Sequence, residues 1–195
     1  MVDIAPLRHF VTAFTELVGQ DRGETELLDA GTRLLRTLVA EDDWLPEPFA
    51  APDETAYRQY LLHCDPLERF SVVSFVWGPG QETPIHNHTV WGLIGLLRGA
   101  EFDQHYRAGP DGQLVANGAP IRLEPGDVGA VSPSRGDIHR VRNALPDRVS
   151  ISIHVYGANI GAVRRAVFDP SGATKRFVSG YSNTILPNLG IGRPR

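Results

Sequence analysis

The sequence predicts a mainly β fold with a helical N-terminal part, and three observations support this prediction. Apolar residues recur at helical spacing in the first third of the chain, short β-rich runs follow after Pro66, and Gly, Pro, Asp and Asn separate those runs. The 195 residues have the length of one domain with a single core. We predict one domain over residues 1–195, with a helical part at 1–65, a β-rich part at 66–178 and an extended segment at 179–195.

Two amphipathic helices are predicted at the start of the chain. Their apolar faces are formed by Leu7, Phe10, Val11, Phe14, Leu17 and Val18, and by Leu27, Leu28, Leu34, Leu35 and Leu38. Residues 19–23 separate the helices, and the proline-rich stretch 44–52 is a predicted loop. A third short helix is predicted after Pro52, with Asp53 as its N-cap. Its inward face would be formed by Tyr57, Tyr60 and Leu61.

The β-rich part contains short runs at regular spacing. The predicted strands are residues 70–77, 90–97, 101–106, 121–123, 128–131, 138–141, 149–156 and 163–168. Turn sequences such as Gly78-Pro79-Gly80 and Glu124-Pro125-Gly126-Asp127 lie between them. This spacing is typical of a β-sandwich or a barrel.

Composition excludes several classes of function. The net charge is −4, from 19 Lys and Arg against 23 Asp and Glu, which gives no electrostatic footprint for nucleic acid or an anionic membrane. The sequence has no apolar run of the roughly 18 residues that a membrane span needs. The single cysteine, Cys64, cannot form an intramolecular disulfide, so a reducing cytoplasm is the expected location. The seven histidines are then the residues most in need of an explanation.

His86-Asn87-His88 is the first candidate for a metal site. In an extended segment, residues two apart point to the same side, so these two imidazoles could bind one metal ion. An isolated pair of this kind can equally be a chance feature of the surface. A third histidine, His139, follows the turn-rich segment that begins at Gly126.

Together these segments resemble the two motifs of the cupin superfamily, which implies an antiparallel jelly-roll barrel over residues 66–178. In the first motif Gly80, His86, His88 and Gly99 fall in place. In the second, Gly126, Pro133, Gly136, His139 and Asn143 match, with one extra residue on each side of Pro133. Gly92 stands where many cupins have a glutamate ligand, so the predicted metal site has three histidines and no carboxylate. The ligand count alone does not name the metal, because three histidines also hold catalytic zinc.

A second polar pattern lies in the predicted strand at 149–156. Alternation places Ser152, His154 and Tyr156 on one face, and the opposite face is apolar. Taken alone, this pattern fits a sheet that faces solvent. Beside three candidate metal ligands, the order Ser, His, Tyr resembles the hydrogen-bonded strand of thiol dioxygenases of the cysteine dioxygenase family.

This family resemblance covers about residues 57–187, and it implies a mononuclear Fe(2+) held by His86, His88 and His139. Ser152, His154 and Tyr156 would form a hydrogen-bond relay beside the iron. Within the family, the segments 71–80, 90–95 and 154–161 are most similar to bacterial 3-mercaptopropionate dioxygenases.

Other positions bear on the substrate. Gln59 corresponds to the arginine that pairs with the substrate carboxylate in animal cysteine dioxygenases, although a slip of one residue would place Arg58 there. With Gln59 at that position, the resemblance assigns the carboxylate to Arg165. Gly92 also replaces the cysteine that animal enzymes crosslink to the relay tyrosine, so Tyr156 should be an unmodified phenol. Asn87 stands where the family commonly has aspartate.

The resemblance implies an enzyme that adds both atoms of O2 to the sulfur of a small thiol bearing a carboxylate, giving a sulfinate. The expected substrate is 3-mercaptopropionate, with cysteine or mercaptosuccinate as alternatives. From other classes, a zinc or nickel cupin enzyme and a non-catalytic cupin that senses a ligand stay open. The expected partners are the small thiol and O2, with neither nucleic acid nor a membrane.

Overall fold

The computed structural model describes residues 2–190 and has the mainly β fold that the sequence predicts. Within this range, helices α1 (Ala5–Val18) and α2 (Glu24–Leu38) and a 3-10 turn (Glu47–Phe49) precede the strands. The strands are β1 (Arg58–Cys64), β2 (Ser71–Trp77), β3 (Ile85–His86), β4 (Gly92–Arg98), β5 (Glu101–Ala108), β6 (Leu114–Ala116), β7 (Ile121–Leu123), β8 (Val128–Val131), β9 (Ile138–Asn143), β10 (Ser150–Tyr156), β11 (Arg165–Phe168) and β12 (Thr174–Phe177).

In the described part of the chain, these strands form two antiparallel sheets. The first sheet has the order β1-β2-β10-β4-β8, and the second has the order β12-β11-β3-β9-β5-β6, with β7 also paired to β5. Val73, Phe75 and Trp77 of the first sheet form a buried cluster with Val141 of the second. The sheets therefore face each other across an interior that both of them line.

The two helices cover the outer face of the first sheet. Helix α1 buries Leu7, Phe10 and Phe14, and α2 packs against β4 and β8. The apolar face of β10, formed by Ile151, Ile153 and Val155, belongs to the same buried cluster as these helix residues. Because the helices cover this outer face, the alternate residues of β10 can point into the barrel without leaving the strand half exposed.

The prediction of a third helix after Pro52 is wrong. Asp53 does not cap a helix: its Oδ1 accepts the Thr55 N–H at 2.9 Å within a local turn, and Asp53 also pairs with Arg58. The following residues form strand β1, which pairs antiparallel with β2 along almost its whole length. Backbone pairing with a buried neighbouring strand outweighs the weak helical spacing of the three apolar residues in this segment.

Residues 179–190 form neither helix nor strand, and residues 191–195 of the predicted extended segment lie outside the described range. This segment runs along the free edge of β1. The Ser182 N–H donates to the Gln59 carbonyl at 2.8 Å, and the Leu61 N–H donates to Asn183 Oδ1 at 2.8 Å. These contacts protect an edge that would otherwise expose unpaired backbone groups. Across residues 2–190, none of the helices has the length and apolar character that crossing a membrane requires.

Candidate metal centre

Three histidines meet in the barrel interior. His86 in β3 lies directly opposite His139 in β9, and His88 follows two residues after His86. The ring centroids of each pair are 4.8 Å apart, and the three potential ligand nitrogens all lie within 4.8 Å of one another. The pairing of β3 with β9 therefore brings together residues that are about 50 positions apart in the sequence.

Backbone contacts fix the segment that carries His88. Thr89 adopts a left-handed conformation with φ of 61°, which is unusual for a β-branched residue. Asp137 holds this turn by accepting the backbone N–H groups of His88 at 3.0 Å and Thr89 at 2.8 Å. On the other side, Asn87 Oδ1 accepts the Ala166 N–H at 2.8 Å, which attaches the turn to β11. Asn87 is thus a structural residue of the turn.

Each histidine is oriented through its Nδ1 atom. Nδ1 of His86 lies 3.0 Å from the Pro84 carbonyl oxygen, that of His88 lies 3.1 Å from Asp137, and that of His139 lies 2.8 Å from Asp103. An Nδ1–H that donates to such an oxygen leaves Nε2 as a lone-pair donor, which is the usual arrangement around a metal ion. His88 Nε2 is buried and has no hydrogen-bond partner. This orphaned nitrogen and the three-histidine donor set fit a transition-metal ion.

Electrostatics keep His86 and His88 in the neutral form that binds a metal ion. Burial lowers the pKa of both His86 and His88 well below its usual value, and repulsion from the neighbouring histidines lowers it further. Burial alone would raise the pKa of Asp103, but contacts with His139 and His105 outweigh it and keep the Asp103 carboxyl ionised. Neutral His86 and His88, together with the ionised Asp103 behind His139, are suited to binding a cation.

Gly92, which stands where many cupins have a glutamate ligand, leaves space for the ring of Tyr156. A Cβ atom at Gly92 would lie 2.9 Å from Tyr156 Cδ1, which is closer than real contacts allow. The glycine therefore gives the Tyr156 ring its place beside the histidines, where it stacks against His88 at a centroid distance of 5.3 Å. Within residues 2–190, the metal-ligand cluster contains three histidines and no carboxylate.

Ser152, His154 and Tyr156 form a chain of hydrogen bonds along β10. The distance from Ser152 Oγ to His154 Nε2 is 2.9 Å, and that from His154 Nδ1 to the Tyr156 hydroxyl is 2.8 Å. All three residues are buried. Burial lowers the pKa of His154 to about 3, so its ring is neutral, and burial raises the pKa of Tyr156, so its phenol keeps its proton. The polar face of β10, for which the sequence also allowed a position towards solvent, faces the barrel interior.

Arg165 is a buried cation without a carboxylate partner. It is 5% exposed, its Nη2 donates to Ser179 Oγ at 2.6 Å, and its guanidinium lies 4.8 Å from the centre of the Phe177 ring. Its Nε has no hydrogen-bond partner, and no salt bridge within residues 2–190 involves it. A buried charge of this kind is costly unless a ligand supplies the counter-charge.

Gln59 lines the same cavity as Arg165, and its Nε2 donates to the Gly180 carbonyl at 2.9 Å. Arg58 instead pairs with Asp53, and its side chain is 41% exposed. The alternative in which Arg58 takes the place of Gln59 therefore has no support from the position of its side chain.

The cavity between the sheets has a volume of about 160 Å³. This corresponds to roughly five water molecules at about 30 Å³ each, which is room for a small organic molecule. Its walls carry Tyr57, Gln59, Phe75, Trp77, Thr83, Pro84, His86, His139, Val141, His154, Tyr156, Arg165, Val167, Phe177 and Ser179. All the predicted site residues except His88 and Ser152 line the cavity. None of the lining residues is acidic.

The sequence reasoning missed two carboxylates that orient the ligands, Asp103 and Asp137. Asp137 had an available signal, since it lies two residues before His139 and would share its direction in an extended segment. Asp103 had a weaker one, an acidic residue in a predicted strand. The side of β5 that faces the histidines is set by the pairing of β5 with β9, in which Asp103 lies opposite Val141.

The fold and the site together define a β-barrel protein with a buried group of three histidines that could hold a metal ion. Cupin proteins are among the solved structures to which this chain is similar. A cupin protein from Desulfovibrio desulfuricans is 23% identical with a TM-score of 0.41, over 55% of this chain and 87% of that one. A cupin superfamily protein from Desulfitobacterium hafniense is 15% identical with a TM-score of 0.45, over 61% and 94%.

A protein with a double-stranded β-helix domain from Klebsiella pneumoniae is 22% identical, with a TM-score of 0.44, over 59% of this chain and 89% of that one. No protein family model matches the sequence. Likeness at these levels carries no argument about function, which has to be argued from the site.

Proposed function

We propose that this protein is an iron-dependent thiol dioxygenase that converts a small carboxylate-bearing thiol to its sulfinate. The observation that carries the proposal is that three clustered histidines, a hydrogen-bonded Ser-His-Tyr chain and an unpaired buried arginine lie around one small cavity. In the proposed reaction the histidines would bind the metal ion, and the arginine would bind the substrate carboxylate. The Ser-His-Tyr chain would act on the reacting oxygen.

His86, His88 and His139 are the residues that would hold Fe(2+). When bound, the ion supplies a site for the substrate thiolate and the electrons that activate O2. A ligand set without a carboxylate leaves the full positive charge of the metal available to an anionic sulfur, which favours the thiolate over the thiol. Asp103 and Asp137 keep two of the imidazoles oriented throughout.

Arg165 would bind the substrate carboxylate, with Gln59 beside it on the cavity wall. A guanidinium can hold a carboxylate through two parallel hydrogen bonds, which fixes the orientation of the rest of the molecule. The wall residues include no acidic side chain that could pair with a substrate ammonium group. This favours 3-mercaptopropionate over cysteine, which carries an ammonium group that would have to be buried unpaired.

The Ser-His-Tyr chain would act on the oxygen side of the reaction. With His154 neutral and Tyr156 protonated, the phenol can donate a hydrogen bond into the cavity, towards the substrate or the incoming oxygen. Aromatic side chains of Phe75 and Trp77 exclude bulk water from the same space. The overall change is balanced without another reductant: one thiol and one O2 give one sulfinate and one proton.

A comparison of four thiols tests the proposal. Protein loaded anaerobically with Fe(2+) is given 3-mercaptopropionate, cysteine, mercaptosuccinate or cysteamine, and O2 uptake is followed with an electrode. We expect the highest kcat/KM for 3-mercaptopropionate, at least about tenfold above cysteine, because burying an unpaired ammonium costs more than about 1.4 kcal/mol. A higher value for cysteine would contradict the inference that the cavity wall, with Gln59 in it, offers no partner to an ammonium group.

Two results would favour the alternative functions. Tight binding of zinc or nickel, with no thiol-dependent O2 uptake after iron loading, would point to a cupin enzyme of another class. Metal binding without turnover of any thiol, together with reversible binding of a small acid, would point to a ligand sensor.

A further inference from the structure

Glu101 is a buried carboxyl group that the proposed reaction does not use. It is the first residue of β5, it is 0% exposed, and neither of its oxygens has a partner in strict hydrogen-bond geometry. The residues opposite it in the second sheet are Asn143 in β9 and Leu123 in β7. Its side chain lies between the two sheets, where the hydroxyls of Ser150 and Ser152 in β10 act on it.

The surroundings of Glu101 favour its protonated form. Burial raises the pKa of Glu101 to about 8, the neighbouring Ser152 and Ser150 hydroxyls offset part of this rise, and the charge of Asp103 adds to it. Asp103, on the same strand, is the charged group that acts on it. The groups that face it from β7, β9 and β10 are uncharged, and no cation among the described residues contributes. At pH 7 the carboxyl is therefore mostly neutral.

Ser152 is the member of the Ser-His-Tyr chain that neighbours Glu101, and its hydrogen-bonding capacity is limited. A serine hydroxyl has one proton and two lone pairs. Trp77 Nε1 can only donate, and it uses one lone pair at 3.3 Å. One proton and one lone pair remain for His154 and Glu101. If Ser152 donates to one of these two residues, it must accept from the other.

We propose that Glu101 is a positioning residue that sets the direction in which the Ser152–His154–Tyr156 chain donates its protons. A protonated Glu101 donates to Ser152, so the Ser152 hydroxyl donates to His154 Nε2. The His154 Nδ1–H then donates to the Tyr156 oxygen, and the Tyr156 O–H is free to donate into the cavity. This is the direction that the proposed reaction needs.

An ionised Glu101 reverses the chain, because a carboxylate can only accept. Ser152 then donates to Glu101 and accepts the His154 Nε2–H, and His154 Nδ1 accepts the Tyr156 O–H. The phenol proton now points away from the cavity, and Tyr156 offers only lone pairs to the substrate. The proton of Glu101 thus decides whether Tyr156 acts as a donor, although Ser152 and His154 lie between the two residues.

The position of the His154 proton reports the direction of the chain and requires no metal ion. In metal-free protein with 15N-labelled histidine, NMR distinguishes a ring protonated on Nδ1 from one protonated on Nε2. We expect Nδ1–H below pH 8 and a change to Nε2–H above it. In Glu101→Gln we expect one tautomer throughout, because the amide keeps its N–H donors and does not ionise. A wild-type ring with the same tautomer from pH 6 to pH 10 would overturn the proposal, whether or not the variant folds.

The loaded enzyme gives a second test, which rests on the proposed function. Between pH 7 and pH 9 the protonated fraction of a group with a pKa near 8 falls roughly tenfold, and wild-type kcat should fall with it. In Glu101→Gln we expect a fall of less than about twofold over the same range. A merely structural role would lower kcat at both pH values by one factor and preserve the tenfold ratio, which would contradict the proposal.

The two tests separate the two claims. A tautomer change in metal-free protein that carries no thiol oxidation after iron loading would refute the proposed function and leave the role of Glu101 intact. Thiol oxidation with a fixed His154 tautomer would refute the role of Glu101 and leave the proposed function intact.

Discussion

Replacing His139 with alanine is expected to lower the affinity for Fe(2+) by more than about 100-fold and to abolish thiol-dependent O2 uptake. Losing a residue that only orients a metal ligand typically costs 10- to about 100-fold in affinity, so losing a ligand should exceed that range. The variant would also leave the carboxyl of Asp103 buried without its 2.8 Å partner. Metal content after gel filtration and O2 uptake with 3-mercaptopropionate are the measurements.

His63→Ala is the matched control for this experiment. His63 is a partly buried histidine that packs against Phe70 at 5.5 Å, away from the three-histidine group. The His63→Ala protein should keep one iron ion per chain and its thiol-dependent O2 uptake. A His139→Ala protein that holds iron as firmly as the His63→Ala protein would refute the ligand assignment.

Replacing Arg165 with glutamine is expected to reduce kcat/KM for 3-mercaptopropionate by roughly 30- to 1000-fold, mainly through KM. Removing one partner of a buried charged pair typically costs about 2–4 kcal/mol, and each 1.36 kcal/mol is a factor of ten. The loss concerns the carboxylate alone, so 2-mercaptoethanol, which has none, should keep its kcat/KM. Arg165→Lys should recover only part of the loss, because an ammonium lacks the paired donors of a guanidinium.

Arg164 provides the control variant, because it is the neighbouring residue in sequence and is exposed. Arg164→Gln removes the same charge from the protein and should leave kcat/KM close to the wild-type value. Equal losses in the two variants would mean that general electrostatic attraction, rather than binding by Arg165, draws the carboxylate to the site.

The sequence was sufficient to predict the elements whose pattern is local. The helices at the start and strands such as β2, β7, β8 and β10 follow from periodicity and turn residues within a few positions. Strand β1 could not be predicted in this way, because its spacing fits a helix and only its pairing with β2 makes it a strand. Strand β3 consists of two residues, and its neighbours β9 and β11 define it. Long-range pairing is invisible in local patterns.

The same distinction applies to the site. His86 and His88 are predictable from their spacing, and Ser152, His154 and Tyr156 from alternation along one strand. The contact of Asp103 with His139 depends on how β5 pairs with β9, and the placing of Glu101 near Ser152 depends on how β5 faces β10. The unpaired state of Arg165 is equally a property of the folded chain, since its surroundings come from β12 and residue 179.

The most direct test of the central claim is the fate of labelled oxygen. Iron-loaded protein is incubated with 3-mercaptopropionate under 18O2, and the product is examined by mass spectrometry. We predict a sulfinate that carries two labelled oxygen atoms, with one O2 consumed for each thiol converted. A disulfide without label, a product with a single labelled oxygen, or O2 uptake that does not depend on the thiol would contradict the account.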